Sequence, residues 1–303
     1  MGAGHRYPAR YGGMASDRLA DLAAKGFAEL GHEVLYELYE GTSEPLPEGV
    51  ELVSERRYDV DVMYLQRWQS PETRGVPWVL TYHAPRKAKD PVLRQVQENW
   101  IFVSEAHARS FGRNRYVTNG IDPGEFIYTE TKDDYFLFAV ANLADLEVKG
   151  FEIARFLIRE CGIKVVVAGA IPSGESDSYM QMFEDLGVTY SGYVSGERKA
   201  ELFARAKCLL FPTQQNEPFG LVVAEALVSG TPVISSYYGA CPQIVTPDVG
   251  FVCATFDEYK SAVRNIDRIS PLTCRTVALE RYHYLRMARD YLLEFQKEIA
   301  LRA

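Results

Sequence analysis

Cysteine is scarce in this sequence, and no two cysteines are closely spaced. The 303 residues include five cysteines, with no Cys-x-x-Cys pair. This spacing indicates neither a disulfide framework nor a zinc knuckle, and it is typical of a reducing compartment. Residues 1–13 also lack the apolar segment of a secretory signal. We therefore expect a cytoplasmic protein.

Three further features that the sequence lacks narrow the function. Lys and Arg total 33 against 41 Asp and Glu, and the formal net charge of −8 argues against a nucleic-acid partner. The longest uncharged stretch, 226–247, is interrupted by glycines and prolines, so it is not expected to span a membrane. No G-x-G-x-x-G follows a predicted strand, which disfavours a dinucleotide oxidoreductase.

Short apolar runs alternate with helix-period segments along the chain. Several runs, such as Val165–Val167, are apolar at consecutive positions, which is typical of parallel strands covered on both faces. This alternation predicts a doubly wound α/β fold. The predicted strands are Glu33–Tyr39, Asp61–Leu65, Trp78–Tyr82, Trp100–Val103, Tyr116–Thr118, Tyr135–Ala141, Lys164–Ala168, Val188–Ser191, Cys208–Phe211, Pro232–Ser235 and Phe251–Ala254.

The length predicts two domains, at about 150 residues each. The segment 126–134 has no apolar periodicity, so we place the junction there, with domains at 1–126 and 134–275. Residues 276–303 are predicted to form one long helix. Residues 1–13 contain almost no apolar run, so the first strand is expected to be vestigial, or the chain begins late.

Polar and glycine-bearing segments follow several predicted strands. Ligands of open α/β sheets bind beyond the carboxyl ends of the strands, so these segments mark one face of each domain. Two such faces turned toward each other predict a cleft between the domains. The segments contain His83, Asn119-Gly120, Lys149-Gly150 and residues 212–220.

The segment from Glu217 to Glu225 predicts a diphosphate site. A helix opening at Gly220 presents the backbone N–H groups of Gly220 and Leu221, and its dipole adds roughly half a positive charge there. A diphosphate carries more charge than that, so a cation is needed, and Lys149 is the candidate. Glu225 lies about 7.5 Å further along the helix, within reach of a ribose. Glu217 precedes the helix and reaches sugar hydroxyls.

Other readings of single residues remain open at this point. A glutamate near a helix start commonly complements the helix dipole at the surface. His83 is either a ligand contact or a hydrogen-bonded loop histidine. Asp59-Val60-Asp61 matches a D-x-D metal pattern but precedes a strand, so we expect no metal there.

A basic cluster follows His83. It is either a solvated face or a site for a phosphate-bearing or lipid-linked acceptor with peripheral membrane contact. Gly12-Gly13, ahead of the first predicted helix, is a second possible approach to a phosphate, although glycine pairs are commonly turns. The cluster consists of Arg86, Lys87, Lys89 and Arg94.

With these residues the sequence resembles glycosyltransferase family 4, the retaining sugar-nucleotide enzymes of GT-B fold. The stretch 211–235, FPTQQNEPFGLVVAEALVSGTPVIS, is similar to the family's E-x7-E signature, with Glu217 and Glu225 as its acidic positions. The resemblance covers nearly the whole chain and is strongest in the second half. Supporting segments are Ser104 with Asn119–Asp122 ("S…NGID"), Lys149-Gly150 ("KG"), Gly192–Val194 and Gly12-Gly13.

The resemblance implies a role for each matching residue. It implies that Glu217 contacts the donor sugar, that His83 lies beside this sugar, and that Glu225 binds the ribose. It further implies that Lys149 neutralises a diphosphate held by the backbone of Phe219, Gly220 and Leu221, and that the C-terminal helix crosses back to the first domain. The remaining donor-binding positions that it implies are Gly12, Gly13, Asn119, Asn142, Tyr193 and Val194.

The expected activity is that of a hexosyltransferase. The resemblance implies transfer, with retained configuration, from a nucleoside-diphosphate sugar to a small-molecule, glycan or lipid-linked hydroxyl, without a metal or a cofactor. The chain departs from the family in having Ala141-Asn142 where the family has a Gly-Arg pair, and its first domain is short. A non-catalytic nucleotide-sugar binding protein and a GT-B sugar-nucleotide epimerase are the alternatives.

Overall fold

A computed structural model describes residues 2–3, 15–38, 42, 44–66, 72–87, 92 and 95–301. The chain forms two units, one of Met1–Asp122 with Arg281–Ala303 and one of Pro123–Glu280. These bounds lie a few residues from the predicted junctions at 126–134 and 275–276.

The described residues form parallel strands and intervening helices. The strands are β1 (Gly2–Ala3), β2 (Val34–Leu38), β3 (Val50–Val53), β4 (Met63–Leu65), β5 (Trp78–Tyr82), β6 (Trp100–Phe102), β7 (Phe136–Asn142), β8 (Val165–Ala170), β9 (Thr189–Tyr190), β10 (Cys208–Phe211), β11 (Val233–Ser236) and β12 (Gly250–Cys253). The helices are α1 (Ala15–Glu29), α2 (Glu105–Ser110), α3 (Phe151–Cys161), α4 (Ser176–Leu186), α5 (Gly196–Arg205), α6 (Leu221–Val228), α7 (Cys241–Ile244), α8 (Phe256–Asn265), α9 (Pro271–Tyr282) and α10 (Tyr284–Ala300).

The first unit contains two three-stranded parallel sheets, in the orders β1-β2-β3 and β4-β5-β6. The first strand exists but is only two residues long, with Gly2 opposite Glu37. Strand β3 was not predicted. The predicted strand Tyr116–Thr118 is wrong, because only an isolated bridge between Phe102 and Tyr116 forms there.

The second unit has one six-stranded sheet in the order β12-β11-β10-β7-β8-β9, with every neighbouring pair parallel. Its first strand, β7, therefore lies beside its fourth, β10. This is the topological switch point of a Rossmann-like sheet, where the loops after the two central strands diverge and leave a ligand crevice. All four residues of β10 are buried, as the apolar run predicted.

The prediction of one helix over 276–303 is wrong, because the segment is broken at His283. The Ile121 N–H donates to the Tyr282 carbonyl (2.7 Å), and the Tyr284 N–H donates to the Ile121 carbonyl (2.9 Å). The backbone groups of Tyr282 and Tyr284 therefore form hydrogen bonds with Ile121 and do not continue helix α9. A separate helix, α10, begins at Tyr284. Within the described part of the chain, no helix is both long and apolar enough to cross a bilayer.

Candidate functional site

Two loops of the second unit meet at the switch point and are joined by an ion pair. Lys149 lies in the loop after β7 and Glu217 in the loop after β10. Lys149 Nζ is 2.7 Å from Glu217 Oε2, and the two side chains are only 20% and 16% exposed. The Gln214 N–H also donates to the Val148 carbonyl (2.9 Å). The charged side chains are thus held at the carboxyl ends of the two central strands.

Gly150 allows this close approach of the two loops. Its φ of +83° lies in the left-handed region, which favours glycine. A Cβ atom at this position would lie 2.0 Å from the Pro212 carbonyl oxygen, so no larger residue fits without moving a loop. The "KG" pair therefore has a physical basis, since the lysine supplies the charge and the glycine lets the loops touch.

Helix α6 starts directly after the second loop. Gly220 precedes its first residue, Leu221, with φ of +93°. The Val223 N–H donates to the Gly220 carbonyl (2.9 Å). The N–H groups of Gly220 and Leu221 lie at the start of the helix, where no preceding turn supplies an intrahelical carbonyl as acceptor. The Phe219 side chain is buried in the second unit. The helix therefore presents backbone donors beside the Lys149–Glu217 pair.

The loop after β11 packs on the backbone of Glu217. The Ala240 N–H donates to the Glu217 carbonyl (2.9 Å), and a Cβ on Gly239 would lie 2.3 Å from both Glu217 N and Glu217 O. Burial, followed by the charge of Glu217, raises the pKa of the Cys241 thiol to about 12. Glu217 is therefore held in place by the loops after β10 and β11.

Glu225 is buried on α6 and paired with a lysine that belongs to none of the sequence motifs. Lys199 Nζ on α5 lies 2.7 Å from Glu225 Oε1, and the glutamate side chain is 5% exposed. Lys199 and Glu225 are 26 positions apart, and no spacing rule connects them. The ribose role of Glu225 stays a prediction.

Three other predicted donor contacts lie at the same edge of this sheet. Asn142 ends β7, and its exposed side chain accepts a hydrogen bond from the Ala144 N–H (2.9 Å). Tyr193, 54% exposed, and Val194 follow β9, where the Gly192 carbonyl accepts from the Gly169 N–H (3.0 Å). Their contacts with a nucleotide stay predictions.

His83 lies in the first unit, directly after β5. Its Nε2 is 2.5 Å from Gln66 Oε1. Burial, followed by the nearby His107, lowers the pKa of His83 to about 3. The imidazole is therefore neutral near pH 7, which fits a hydrogen-bonding partner and not a permanent cation.

The "NGID" segment packs against the C-terminal helix. A Cβ on Gly120 would lie 2.7 Å from the Tyr284 Cα atom, so this glycine permits close contact with α10. Asp122 accepts a hydrogen bond from Lys25 Nζ (2.7 Å). Asn119 is buried, and its Oδ1 has no hydrogen-bond partner among the described residues. Its donor-binding role stays a prediction.

The structure brings only some of the predicted site residues together. Gly12, Gly13, Lys89 and Arg94 lie outside the described residues. Asp59 accepts a hydrogen bond from Arg57 Nε (2.8 Å), and the described ranges contain no group of three side chains able to hold a metal ion. The residues gathered on two adjoining loops and α6 are Lys149, Glu217, Phe219, Gly220, Leu221 and Glu225.

Because His107 is buried, we expect the stability of the first unit to fall in acid. Burial lowers the pKa of His107 to about 4, from an ordinary value of 6.5. Between these values the unfolded chain binds a proton that the folded protein does not bind. The free energy of unfolding therefore falls as the pH falls below 6.5. At pH 5 the expected loss from this group is about 2 kcal/mol, at about 1.4 kcal/mol per pH unit.

Urea unfolding at pH 7 and pH 5 measures this effect. All three tryptophans of the sequence lie in the first unit, so their fluorescence follows its unfolding. We expect His107→Gln to reduce the difference in stability between the two pH values. The matched control is His32→Gln, at an exposed histidine of the same unit, which should leave the difference unchanged. An unaltered difference in His107→Gln would contradict the prediction.

The second unit matches a known family. Residues 130–280, about half of the chain, match the family described as Glycosyl transferases group 1. An uncharacterized glycosyltransferase of Methanocaldococcus jannaschii is 31% identical over 181 residues, which cover 51% of this chain and 44% of that protein. The chain spans less than half the length of the curated relatives it matches first.

Solved structures define the fold class. A glycosyltransferase involved in avilamycin A biosynthesis has a TM-score of 0.75 at 24% identity, covering 95% of this chain and 90% of that chain. Anabaena HepE in complex with UDP-glucose has a TM-score of 0.68 at 14% identity, covering 98% of both chains. The predicted α/β fold of GT-B class, with Rossmann-like units, is confirmed. Membership of glycosyltransferase family 4 stays a prediction.

Proposed function

We propose that this protein is a retaining glycosyltransferase that uses a nucleoside-diphosphate sugar as donor. The observation that carries the proposal is the Lys149–Glu217 ion pair, placed at the switch point of the second unit and beside the start of α6. The match to the glycosyl transferases group 1 family supports the same class of reaction. Anabaena HepE, with a similar fold, has been solved with UDP-glucose, which supports a sugar nucleotide as donor.

In this proposal the diphosphate displaces Glu217 from Lys149. Its oxygens accept hydrogen bonds from the backbone N–H groups at the start of α6 and from the Lys149 ammonium. Glu217 then accepts hydrogen bonds from the hydroxyls of the donor sugar. In the free protein Glu217 holds the ammonium in place until the phosphate arrives.

In the proposed transfer, one bond of the anomeric carbon breaks and one new bond to this carbon forms. The bond between the anomeric carbon and the phosphate oxygen breaks, and its electron pair stays on the diphosphate. The acceptor hydroxyl oxygen bonds to the same face of the anomeric carbon, and its proton passes to the departing phosphate. Lys149 and the start of α6 stabilise the charge that develops on this leaving group.

Glu225 and His83 have secondary roles in the proposal. Ribose hydroxyls donate to the Glu225 carboxylate, which Lys199 keeps oriented through the 2.7 Å contact. The neutral imidazole of His83 accepts a hydrogen bond from a hydroxyl of the transferred sugar. The acceptor supplies a hydroxyl group as the nucleophile.

A ligand screen on the full chain tests this function. Nucleoside diphosphates and their sugars are added in turn, and thermal unfolding is recorded. A ligand at about 100 times its Kd should add about 2.7 kcal/mol to stability. The stabilising sugar nucleotide is then incubated with the protein alone, and we expect slow release of its nucleoside diphosphate.

The products separate the alternatives. Binding without any turnover would favour a non-catalytic nucleotide-sugar binding protein, and a rearranged donor would favour an epimerase. If neither the nucleoside diphosphates nor their sugars bind, the proposed function is wrong.

A further inference from the structure

A buried glutamine lies within hydrogen-bond distance of the His83 ring. Gln66 follows β4 and His83 follows β5, and these two strands are neighbours in one parallel sheet of the first unit. The two residues therefore meet at the same sheet edge, with Gln66 Oε1 2.5 Å from His83 Nε2. Gln66 is 6% exposed.

The Gln66 amide has its nitrogen on the side of Tyr64. Its Nε2 donates to the Tyr64 hydroxyl. Thr81 Oγ1 lies 3.2 Å from the Tyr64 hydroxyl and 2.9 Å from the Tyr291 hydroxyl, and all three residues are buried. With the amide nitrogen turned toward Tyr64, the amide oxygen faces the histidine.

An amide oxygen accepts hydrogen bonds and donates none, so the histidine nitrogen that meets it carries the proton. We infer that Gln66 is a positioning residue that holds His83 as the neutral Nε2–H tautomer, with Nδ1 as the ring's acceptor for a hydroxyl of the transferred sugar. The sugar contact rests on the proposed function. The tautomer itself does not.

An uncharged amide suits this task better than a carboxylate. A carboxylate at 2.5 Å would favour the imidazolium, and both ring nitrogens would then be donors. Among the described residues, His107 further lowers the pKa of His83, and the hydroxyls of Tyr64 and Tyr291 lie behind Gln66. None of these described groups is a carboxylate. The imidazole is therefore kept as a neutral acceptor.

Nitrogen-15 NMR of the histidine-labelled full chain tests the tautomer directly. The His83 signals are assigned by their loss in His83→Gln, and the shifts of the two ring nitrogens distinguish the protonated from the unprotonated one. We expect a protonated Nε2 and an unprotonated Nδ1 in the wild type. A protonated Nδ1 would overturn the inference.

Three variants separate positioning from packing. In Gln66→Met the acceptor is lost, and we expect a mixture of tautomers. In Gln66→Glu the Nε2–H form should persist while the pKa of His83 rises toward neutrality. Thr81→Val removes the hydroxyl that contacts Tyr64 and Tyr291 and should leave the His83 tautomer as in the wild type. If Thr81→Val and Gln66→Met shift the His83 signals alike, Gln66 has only a packing role.

Turnover of the donor tests the functional half. We expect Gln66→Met to lower kcat with little change in KM, by about ten- to a hundredfold if Gln66 matters as much as the partners that orient metal-ligating histidines. Gln181→Met, at an exposed glutamine of α4, is the control for the substitution and should change neither value. An altered tautomer with unchanged kcat would overturn the sugar contact of His83. Absence of turnover in the wild type would refute the proposed function, while the NMR result would still decide the tautomer.

Discussion

Replacing Lys149 with methionine is expected to lower the turnover number by about 10²–10³-fold. In the proposed mechanism the ammonium faces charge that develops on the departing diphosphate, and loss of one such preorganised donor costs about 2.7–4 kcal/mol of transition-state stabilisation. Methionine keeps the length of the side chain, so the loops should remain in contact. The measurement is kcat for the donor found in the ligand screen, together with the thermal unfolding temperature.

Lys164→Met is the matched control for Lys149→Met. Lys164 Nζ forms an ion pair with Asp134 in the same unit at 3.2 Å, but these two side chains are 74% and 71% exposed. The control removes the same charge from a solvated pair, which is worth little, and should change neither kcat nor stability appreciably. Equal kcat values for Lys149→Met and the wild type would contradict the prediction.

Glu217→Gln sharpens the test, because the two halves of the ion pair should affect nucleotide binding in opposite directions. In the free protein the diphosphate has to displace Glu217 from Lys149. Removal of the carboxylate charge should therefore tighten binding of a nucleoside diphosphate, by roughly fivefold if the pair is worth about 1 kcal/mol. Lys149→Met should weaken the same binding. Both variants should lose turnover. Calorimetric titration with the nucleoside diphosphate measures the contrast.

The sequence was informative about the second unit's site for a physical reason. In a parallel sheet the loops that bear ligands follow the carboxyl ends of strands, so finding the buried runs of β7 and β10 also located Lys149 and Glu217. The Lys199–Glu225 pair could not be found this way, since it depends on how α5 packs against α6. Gln66 was missed for the same reason, because its partner His83 is reached across neighbouring strands.

The errors in the fold prediction have a similar origin. Strand β3 is Val-Glu-Leu-Val with its glutamate and Leu52 exposed, so it lacks the apolar run of a buried strand and exists through its ladder with β2. The break at His283 has no proline or glycine beside it. It arises because Ile121, distant in sequence, bonds to the backbone on either side of that residue. Contacts of this kind leave no local pattern.

Removal of the Arg115 guanidinium is expected to destabilise the first unit by about 3–5 kcal/mol. Arg115 Nε and Nη1 lie 2.5 Å from Glu294 and Glu298 of α10, and the three side chains are 17%, 12% and 7% exposed. Arg115→Met would leave two poorly solvated carboxylates without this partner, which costs more than the ion pair itself contributes. Lys297, which also contacts Glu294, offsets only part of this charge.

A charge-removal series distinguishes this electrostatic effect from lost packing. The triple variant Arg115→Met, Glu294→Gln, Glu298→Gln carries no unpaired carboxylate at this position and should recover much of the lost stability. Arg109→Leu is the control, because Arg109 pairs with Glu105 on the exposed face of α2 and its loss should cost only about 0.3–0.5 kcal/mol. Urea unfolding followed by tryptophan fluorescence measures each variant. If the triple variant is as unstable as Arg115→Met, the arginine acts through its other contacts, such as its hydrogen bonds to the Glu98 carbonyl (3.0 Å) and the Glu294 carbonyl (3.1 Å), and the proposed charge effect is wrong.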